Sequence, residues 1–200
     1  MSSWPEALGA STALVAVAEI GDKTQLLSFV LAARLRRPVP IVAGILVATL
    51  ANHALAGALG RWLAGHVADA RLVTWVSGGA FIAFGLWMLK PDKPGAEPRL
   101  LRAGAFATTT VAFFFAEMAD KTQFATVALG ARFPDSLAAV VLGTTLGMLL
   151  ANVPAVLMGQ ALAHRLPVER TRWVAAALFI ATGVWTLLSS RAATLLARGL

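Results

Sequence analysis

The chain has 200 residues, of which 58% are hydrophobic and 14% charged, with a formal net charge of +7 and no cysteine. Soluble domains are roughly 45–50% apolar and about 25% charged. The composition therefore argues against a soluble enzyme, a disordered chain or a nucleic-acid-binding protein. The lack of cysteine excludes disulfides, iron–sulfur clusters and thiolate metal sites, and the length suits one domain.

Six apolar runs are long enough to cross a bilayer core about 30 Å thick, which takes roughly 20 residues of helix. In chain order they are Ala10–Ala33, Val39–Leu59, Leu72–Leu89, Gly104–Ala131, Leu137–Ala163 and Trp173–Ser190. Backbone polar groups in lipid must be hydrogen-bonded within the protein, and the runs lack the alternation of barrel strands. We therefore predict an all-α membrane protein with six transmembrane helices.

The connections between the runs carry an asymmetric distribution of positive charge. One side of the membrane receives Arg34, Arg36, Arg37, Lys90, Lys93, Arg99, Arg102, Arg165, Arg170 and Arg172. The other side receives Arg61, Arg71, Arg132, Arg191 and Arg198. Because cytoplasmic loops are richer in Lys and Arg, we predict a multi-pass protein of the cell inner membrane with both termini outside the cytoplasm. The positive charge then indicates topology and not a nucleic-acid partner.

The chain also contains an internal repeat. Residues 18–25 read AEIGDKTQ and residues 116–123, 98 positions later, read AEMADKTQ. The pattern FIAxGxW at 81–87 recurs at 179–185, and Ala51-Asn52 recurs as Ala151-Asn152. Three helices per half reverse the second half in the membrane, an arrangement typical of secondary transporters with a site near the midplane. The prediction is a first three-helix repeat at 1–91, a cytoplasmic linker at 92–103 and a second, inverted repeat at 104–200.

Each copy of the repeated motif places ionisable residues inside an apolar run. These residues are the acids Glu19, Asp22, Glu117 and Asp120 and the bases Lys23 and Lys121. A charge at the centre of a bilayer costs roughly 2.5–3.5 kcal/mol on insertion scales, so such residues are functional candidates. In a continuous helix, the three charged residues of one motif would share one face. Inverted repeats would bring both motifs together, so we expect the four carboxylates to converge on one cavity.

The charges of the two motifs sum to −2, which suits one divalent cation. Carboxylate, amide and hydroxyl oxygens are hard ligands that favour Mn²⁺, Ca²⁺ or Mg²⁺, whereas Zn²⁺ and Cu⁺ prefer the Cys and His that both motifs lack. Carboxylates crowded in a medium of low dielectric take up protons when no cation is bound. Metal entry must then displace protons, which is the physical basis of cation/proton antiport. An ammonium has no lone pair for a metal, so both lysines are expected to be charge partners.

Neutral polar residues near the motifs are further candidates for ligands or gating. They are Gln25, Gln123, Asn52, Asn152, Thr24 and Thr122. Amide oxygens could bind the cation, but hydrogen bonding between helices is an equal use for the two asparagines and the two glutamines. The threonines could simply satisfy backbone carbonyls. Gly21, beside Asp22, could loosen the helix or allow another helix to approach closely.

The sequence Glu-x-Gly-Asp-Lys-Thr, present on the first and fourth predicted helices, resembles the motif of the GDT-type cation/proton exchanger family. Those proteins are Golgi and bacterial manganese or calcium transporters related to the lysine-exporter superfamily. The resemblance covers nearly the whole chain, although Ala119 replaces glycine in the second motif. It implies export of Mn²⁺, with Ca²⁺ as the other family substrate and no cofactor. The motif positions are Glu19, Asp22, Lys23 and Thr24, with Glu117, Asp120, Lys121 and Thr122.

Three other functions compete with this interpretation. An intramembrane lipid-pyrophosphate phosphatase would need cationic groups for phosphate, but no Arg lies deep in any run and the motifs lack Ser and His. An exporter of a cationic amino acid would need a site for the α-carboxylate, for which the motifs offer just the two lysines. A structural membrane subunit does not explain four buried acids. We therefore expect a transporter that is not an enzyme, with a homo-oligomer as one open alternative for its assembly.

Overall fold

The computed structural model describes residues 4–67, 69–90, 104–118, 120–158 and 168–197, without the side chains of 70, 168–172 and 190–197. The predicted linker at 92–103 lies outside the described residues. Within these ranges the chain is helical and contains no strand. The helices are α1 (Trp4–Glu19), α2 (Lys23–Leu35), α3 (Pro38–His66), α4 (Ala70–Met88), α5 (Gly104–Glu117), α6 (Lys121–Arg132), α7 (Leu137–Met158) and α8 (Val168–Ala197), with a 3-10 turn at Pro134–Ser136.

Several helices are long and apolar enough to cross a membrane. Among the described residues these are Pro38–His66, Arg71–Met88 and Pro134–Met158, and a shorter apolar helix covers Trp173–Ser189. They correspond to the second, third, fifth and sixth predicted runs, although the last part of the fifth run, at 159–163, lies outside the described residues. The all-α prediction is therefore confirmed, and the count of six crossings stays a prediction.

The first and fourth runs are each broken near the middle, which corrects the expectation of two continuous helices. In the first run α1 ends at Glu19 and α2 begins at Lys23. Gly21 between them has a φ of 84°, a left-handed conformation that glycine adopts without a steric penalty. In the fourth run α5 ends at Glu117 and α6 begins at Lys121. The prediction that each motif shares one helical face is thus wrong, because the motif straddles two helices.

The two halves pack against each other in a reciprocal pattern. The broken helices of the first half, α1 and α2, lie against α7, and those of the second half, α5 and α6, lie against α3. The equivalent helices α4 and α8 pack together. A reciprocal pattern of this kind is what a twofold relation between two similar units produces.

Glycines allow the closest of these approaches. A Cβ added at Gly147 of α7 would lie 2.7 Å from the Thr12 carbonyl oxygen of α1. A Cβ added at Gly44 of α3 would lie 2.9 Å from the Phe106 carbonyl oxygen of α5. Small residues at helix crossings are typical of membrane helix packing. They bring the backbones of the broken helices against the two central helices, α3 and α7.

The reciprocity has one clear exception. The half-helix that packs extensively on α4 is α6, whereas the half-helix that packs extensively on α8 is α1. Because α4 and α8 are equivalent in the repeat but α6 and α1 are not, the two halves have similar sequences and different arrangements.

Candidate metal centre

Three buried carboxylates meet where the two helix breaks face each other. Glu19, Glu117 and Asp120 each present a carboxylate oxygen, and these three oxygens lie within 4.8 Å of one another. The two glutamates are 0% exposed and the aspartate is 5% exposed. Asp22 is also buried, at 7% exposed, but it is not a member of this cluster. The structure therefore brings together three of the four acids that the sequence singles out.

The cluster is built from helix ends. Glu19 and Glu117 are the last residues of α1 and α5, and each is followed by a turn in which the aspartate N–H donates to the glutamate carbonyl. Asp120 immediately precedes the first residue of α6 and makes no side-chain cap of that helix. The amino end of a helix favours a negative charge and the carboxyl end favours a positive one. In secondary transporters, the ends of discontinuous helices near the midplane bind substrates and coupling ions.

Two threonines orient the glutamates in equivalent ways. Thr24 Oγ1 donates to Glu19 Oε2, and Thr122 Oγ1 donates to Glu117 Oε2 at 3.3 Å. Each bond spans a helix break and fixes one oxygen of the carboxylate. The second oxygens, Oε1 of Glu19 and of Glu117, are buried with no hydrogen-bond partner among the described residues. The threonines thus act as orienting residues that leave one oxygen of each glutamate for a cation.

The two lysines are placed differently. Lys23 Nζ lies 2.9 Å from Asp120 Oδ1, so this ion pair joins the motif of the first half to that of the second. Asp120 Oδ2 is buried with no hydrogen-bond partner among the described residues. Lys121 Nζ donates to the Lys90 carbonyl oxygen at 3.2 Å. The three ionised carboxylates of the cluster and the charged Lys23 together carry −2, which still matches one divalent cation.

Gln25 braces the first break. Its Oε1 accepts from the Gly21 N–H, and its Nε2 donates to the Ala151 carbonyl of α7, both at 2.8 Å. Both polar atoms are therefore engaged in holding the left-handed turn against α7. The repeat-equivalent Gln123 is half-buried in α6. For Gln25 the structure favours the role of helix contact over that of metal ligand.

The repeated asparagines make different contacts. Asn52 Nδ2 donates to the Phe114 carbonyl in the last turn of α5, the turn that carries Glu117, at 3.0 Å. The Oδ1 of Asn52 is buried without a hydrogen-bond partner in the described part of the chain. Asn152 Oδ1, in contrast, accepts from Ser28 Oγ at 2.7 Å. Of the two asparagines, Asn52 is the one whose amide oxygen is available.

Three groups in the structure are not among the site residues expected from the sequence. Ser28 is one of them, although position 126 of the repeat also carries a hydroxyl, Thr126, and this agreement is a readable signal. The Lys90 carbonyl that accepts from Lys121 is a backbone group, and a sequence motif cannot indicate it. His53 is 0% exposed, and both its ring nitrogens lack partners among the described residues.

The donor set has a defined chemistry. Carboxylate oxygens converge at one point, with threonine hydroxyls behind them and neither sulfur nor imidazole among the clustered atoms. Hard oxygen ligands of this kind suit Mn²⁺, Ca²⁺ and Mg²⁺. The burial of the cluster excludes bulk water, which strengthens the attraction between the carboxylates and a cation.

Comparison with known proteins places the chain in a family. The family described as "Divalent cation/proton antiporter GDT1" matches the chain twice, over residues 7–96 and 105–194. The two matched segments correspond to the two halves of the internal repeat, and each contains one acidic motif. No solved structure matches the chain significantly.

Curated relatives agree with this family. A protein of Vibrio cholerae named "Putative manganese exporter" is 50% identical over 173 residues, which cover 86% of each chain. Two Arabidopsis thaliana proteins, "GDT1-like protein 4" and "GDT1-like protein 5", are 28% and 27% identical over 95% and 94% of this chain and 99% and 98% of their own.

These matches decide among the functions considered above. They show a multi-pass membrane protein that transports divalent cations, so the phosphatase alternative is wrong and the chain is not an enzyme. The wider relation to lysine exporters and the choice of cation stay predictions. The chain belongs to the divalent cation/proton antiporter GDT1 family.

Proposed function

We propose that this protein is a secondary transporter that exports Mn²⁺, and with lower preference Ca²⁺, in exchange for protons. The observation that carries the proposal is the convergence of three buried carboxylates on one point between two helix breaks. The family description supports proton exchange, and the printed name of the Vibrio relative supports manganese. The cation is the substrate, and no resident cofactor is proposed.

The cation site consists of the two glutamates and Asp120, and Asp22 completes the set. The oxygens of Glu19, Glu117 and Asp120 that lack hydrogen-bond partners are those we assign to the cation. Asp22 is buried and lies at the matching position of the first break, so we include it as the fourth candidate ligand. Thr24 and Thr122 hold the glutamates in place, and Asn52 Oδ1 is a candidate for a further ligand. The lysines balance charge.

Proton coupling follows from the charge of the site. In the arrangement described, the three clustered carboxylates and Lys23 carry −2 in a buried volume of low dielectric, which is unfavourable without a counterion. One divalent cation neutralises that charge, and two protons on the carboxylates neutralise it equally. The site therefore passes between a metal-bound and a doubly protonated form, and exchange of one cation for about two protons is electroneutral.

The membrane arrangement we propose keeps the sequence prediction of six crossings in two inverted repeats. The first crossing consists of α1 and α2, and the fourth consists of α5 and α6. The residues at 1–91 and 104–200 then form the two repeats. The protein lies in the inner membrane of the cell, with both termini outside the cytoplasm. The double match of the family and the reciprocal helix packing support this arrangement. Rocking of one repeat against the other would alternate access to the site.

The experiment that tests this function is ion flux in proteoliposomes. Purified protein is reconstituted, a pH gradient is imposed, and Mn²⁺ or Ca²⁺ movement is followed together with internal pH. Transport of Mn²⁺ against proton return is expected, and it should be lost in Glu19→Gln and Glu117→Gln. Asp135→Asn, which neutralises an exposed acid of the 3-10 turn, is the matched control and should transport normally. Full transport by both glutamine variants would refute the site.

A further inference from the structure

Asn52 and Asn152 occupy equivalent positions in the repeat but hold different partners. On α7, Asn152 Oδ1 accepts from Ser28 of α2, and its Nδ2 donates to the Met148 carbonyl of its own helix. On α3, Asn52 Nδ2 donates to the Phe114 carbonyl of α5, and its Oδ1 is buried without a partner among the described residues. The same side chain therefore ties down a different half-helix in each repeat.

The repeat carries a second partner for each asparagine. Thr126 on α6 is the equivalent of Ser28, and α6 packs against α3, the helix of Asn52. The Thr126 hydroxyl now donates to the Thr122 carbonyl of its own helix at 2.8 Å. Ala16 on α1 is the equivalent of Phe114, and α1 packs against α7, the helix of Asn152. Each asparagine thus lies on a helix that already packs against the helix of its alternative partner.

The surrounding packing differs between the halves as well. Phe84 of α4 stacks on Phe124 of α6, with ring centroids 6.1 Å apart, as part of the extensive α4–α6 contact. The equivalent contact in the other half would join Thr182 of α8 to Leu26 of α2. In this arrangement Lys121 at the start of α6 is buried, whereas Lys23 at the start of α2 is half-buried. The α6 side of the site is the more closed one.

We propose that Asn52 and Asn152 each change hydrogen-bond partner when the transporter changes its access state. Each asparagine then binds the repeat equivalent of the partner that the other asparagine holds now. In the exchanged state Thr126 donates to Asn52 Oδ1, while Asn152 releases Ser28 and donates to the Ala16 carbonyl. The Ser28–Asn152 bond therefore stabilises the state seen here, and the Thr126–Asn52 bond stabilises its inverted counterpart. The inference rests on the alternating access proposed above, which it deepens by naming the side chains that hold each state.

Two variants test the exchange because they should act in opposite directions. Ser28→Ala removes a bond of the present state and should favour the inverted one. Thr126→Val removes a bond of the inverted state, and its cost in the present state is small because a hydroxyl bonded to its own helix contributes little. The loss of one interhelical hydrogen bond changes a population by about two- to fivefold. The double variant should return near the wild-type ratio.

Cysteine cross-linking reports the two states. The chain has no cysteine, so introduced pairs react without background. One pair, Phe84→Cys with Phe124→Cys, is close in the present state. The other, Leu26→Cys with Thr182→Cys, is its repeat equivalent and is expected to be close in the inverted state. The rates are measured in proteoliposomes with a short bifunctional maleimide and no added metal.

The expected result is that Ser28→Ala slows cross-linking of the first pair and speeds that of the second, while Thr126→Val does the reverse. Thr110→Val is the control, since this hydroxyl bonds the Phe106 carbonyl within its own helix, and it should change neither rate. Shifts in the same direction, or no shift in either variant, would overturn the exchange. Because no metal flux enters these rates, a failure of Mn²⁺/H⁺ exchange in the wild-type protein would count against the proposed function alone.

Discussion

Replacing Glu117 by glutamine removes one negative charge from the centre of the proposed site while keeping the size of the side chain. An amide oxygen at this position can still accept from Thr122, so the local hydrogen bond survives. What changes is the charge of the cluster, which falls from −2 to −1 with Lys23 charged. Because Glu117 is 0% exposed, bulk water does not screen the lost charge.

The size of the effect follows from Coulomb attraction. A divalent cation and a carboxylate about 4 Å apart, at an effective dielectric constant of about 20, attract by roughly 8 kcal/mol, which is twice the value for unit charges. Part of this energy is recovered for two reasons. The amide oxygen of glutamine still binds the cation, and the variant site has one carboxyl group fewer that must lose its proton before the cation binds. If about half remains lost, Mn²⁺ affinity falls by roughly a thousandfold.

The assay is calorimetric titration of purified protein with Mn²⁺ at pH 8, where proton competition is weakest. Glu19→Gln should behave like Glu117→Gln, because the two residues occupy equivalent positions and share the cluster. Asp135→Asn serves as the control and should bind like the wild type. A loss of affinity smaller than about threefold in both glutamine variants would show that the clustered carboxylates do not hold the cation.

Three further predictions concern protons, the lysine and the helix break. Apparent Mn²⁺ affinity should fall as the pH is lowered from 8 to 5, because protons and metal compete for the same oxygens. In binding titrations, the dependence of log affinity on pH should have a slope of up to about two protons per cation. An affinity independent of pH would contradict proton coupling. Lys23→Gln leaves Asp120 without its ion pair and raises the negative charge of the cluster to −3. Mn²⁺ should then bind more tightly at pH 8 and dissociate more slowly. Unchanged Mn²⁺ binding and unchanged turnover in the proteoliposome flux assay would contradict the role of Lys23 as a charge partner. Gly21→Ala places a side chain at a φ of 84° and should lower the free energy of unfolding by about 1 kcal/mol. Calorimetry should then show a fall of roughly 2–4 °C in Tm. An unchanged Tm would mean that alanine adopts this turn without strain.

Much of this protein can be derived from the order of its residues. Long apolar runs in a chain with few charges require helices in lipid, because no other open structure satisfies the backbone there. The repeated motif is visible because charged residues are rare in such runs, so the coincidence of AEIGDKTQ and AEMADKTQ stands out. The choice of hard cation follows from oxygen ligands alone. These properties depend on composition and spacing, which a linear sequence contains completely.

The tertiary structure decided where the motif residues lie. A helical wheel places Glu19, Asp22 and Lys23 on one face, but the chain breaks at Gly21 and sends the glutamate and the lysine to the ends of different helices. The break is stabilised because Gln25 Oε1 accepts from the Gly21 N–H, and Gln25 is in turn held by the Ala151 carbonyl of α7. The contact that holds Gln25 in place comes from a residue more than a hundred positions away, and local propensity carries no information about it.

The asymmetry of the site was also beyond the sequence. Two nearly identical motifs predict two equivalent lysines and two equivalent asparagines, yet Lys23 pairs with Asp120 while Lys121 contacts a backbone carbonyl. Similar sequences determine a similar set of available partners. The partners actually bound depend on how the two halves pack against each other, which the packing of the whole chain decides.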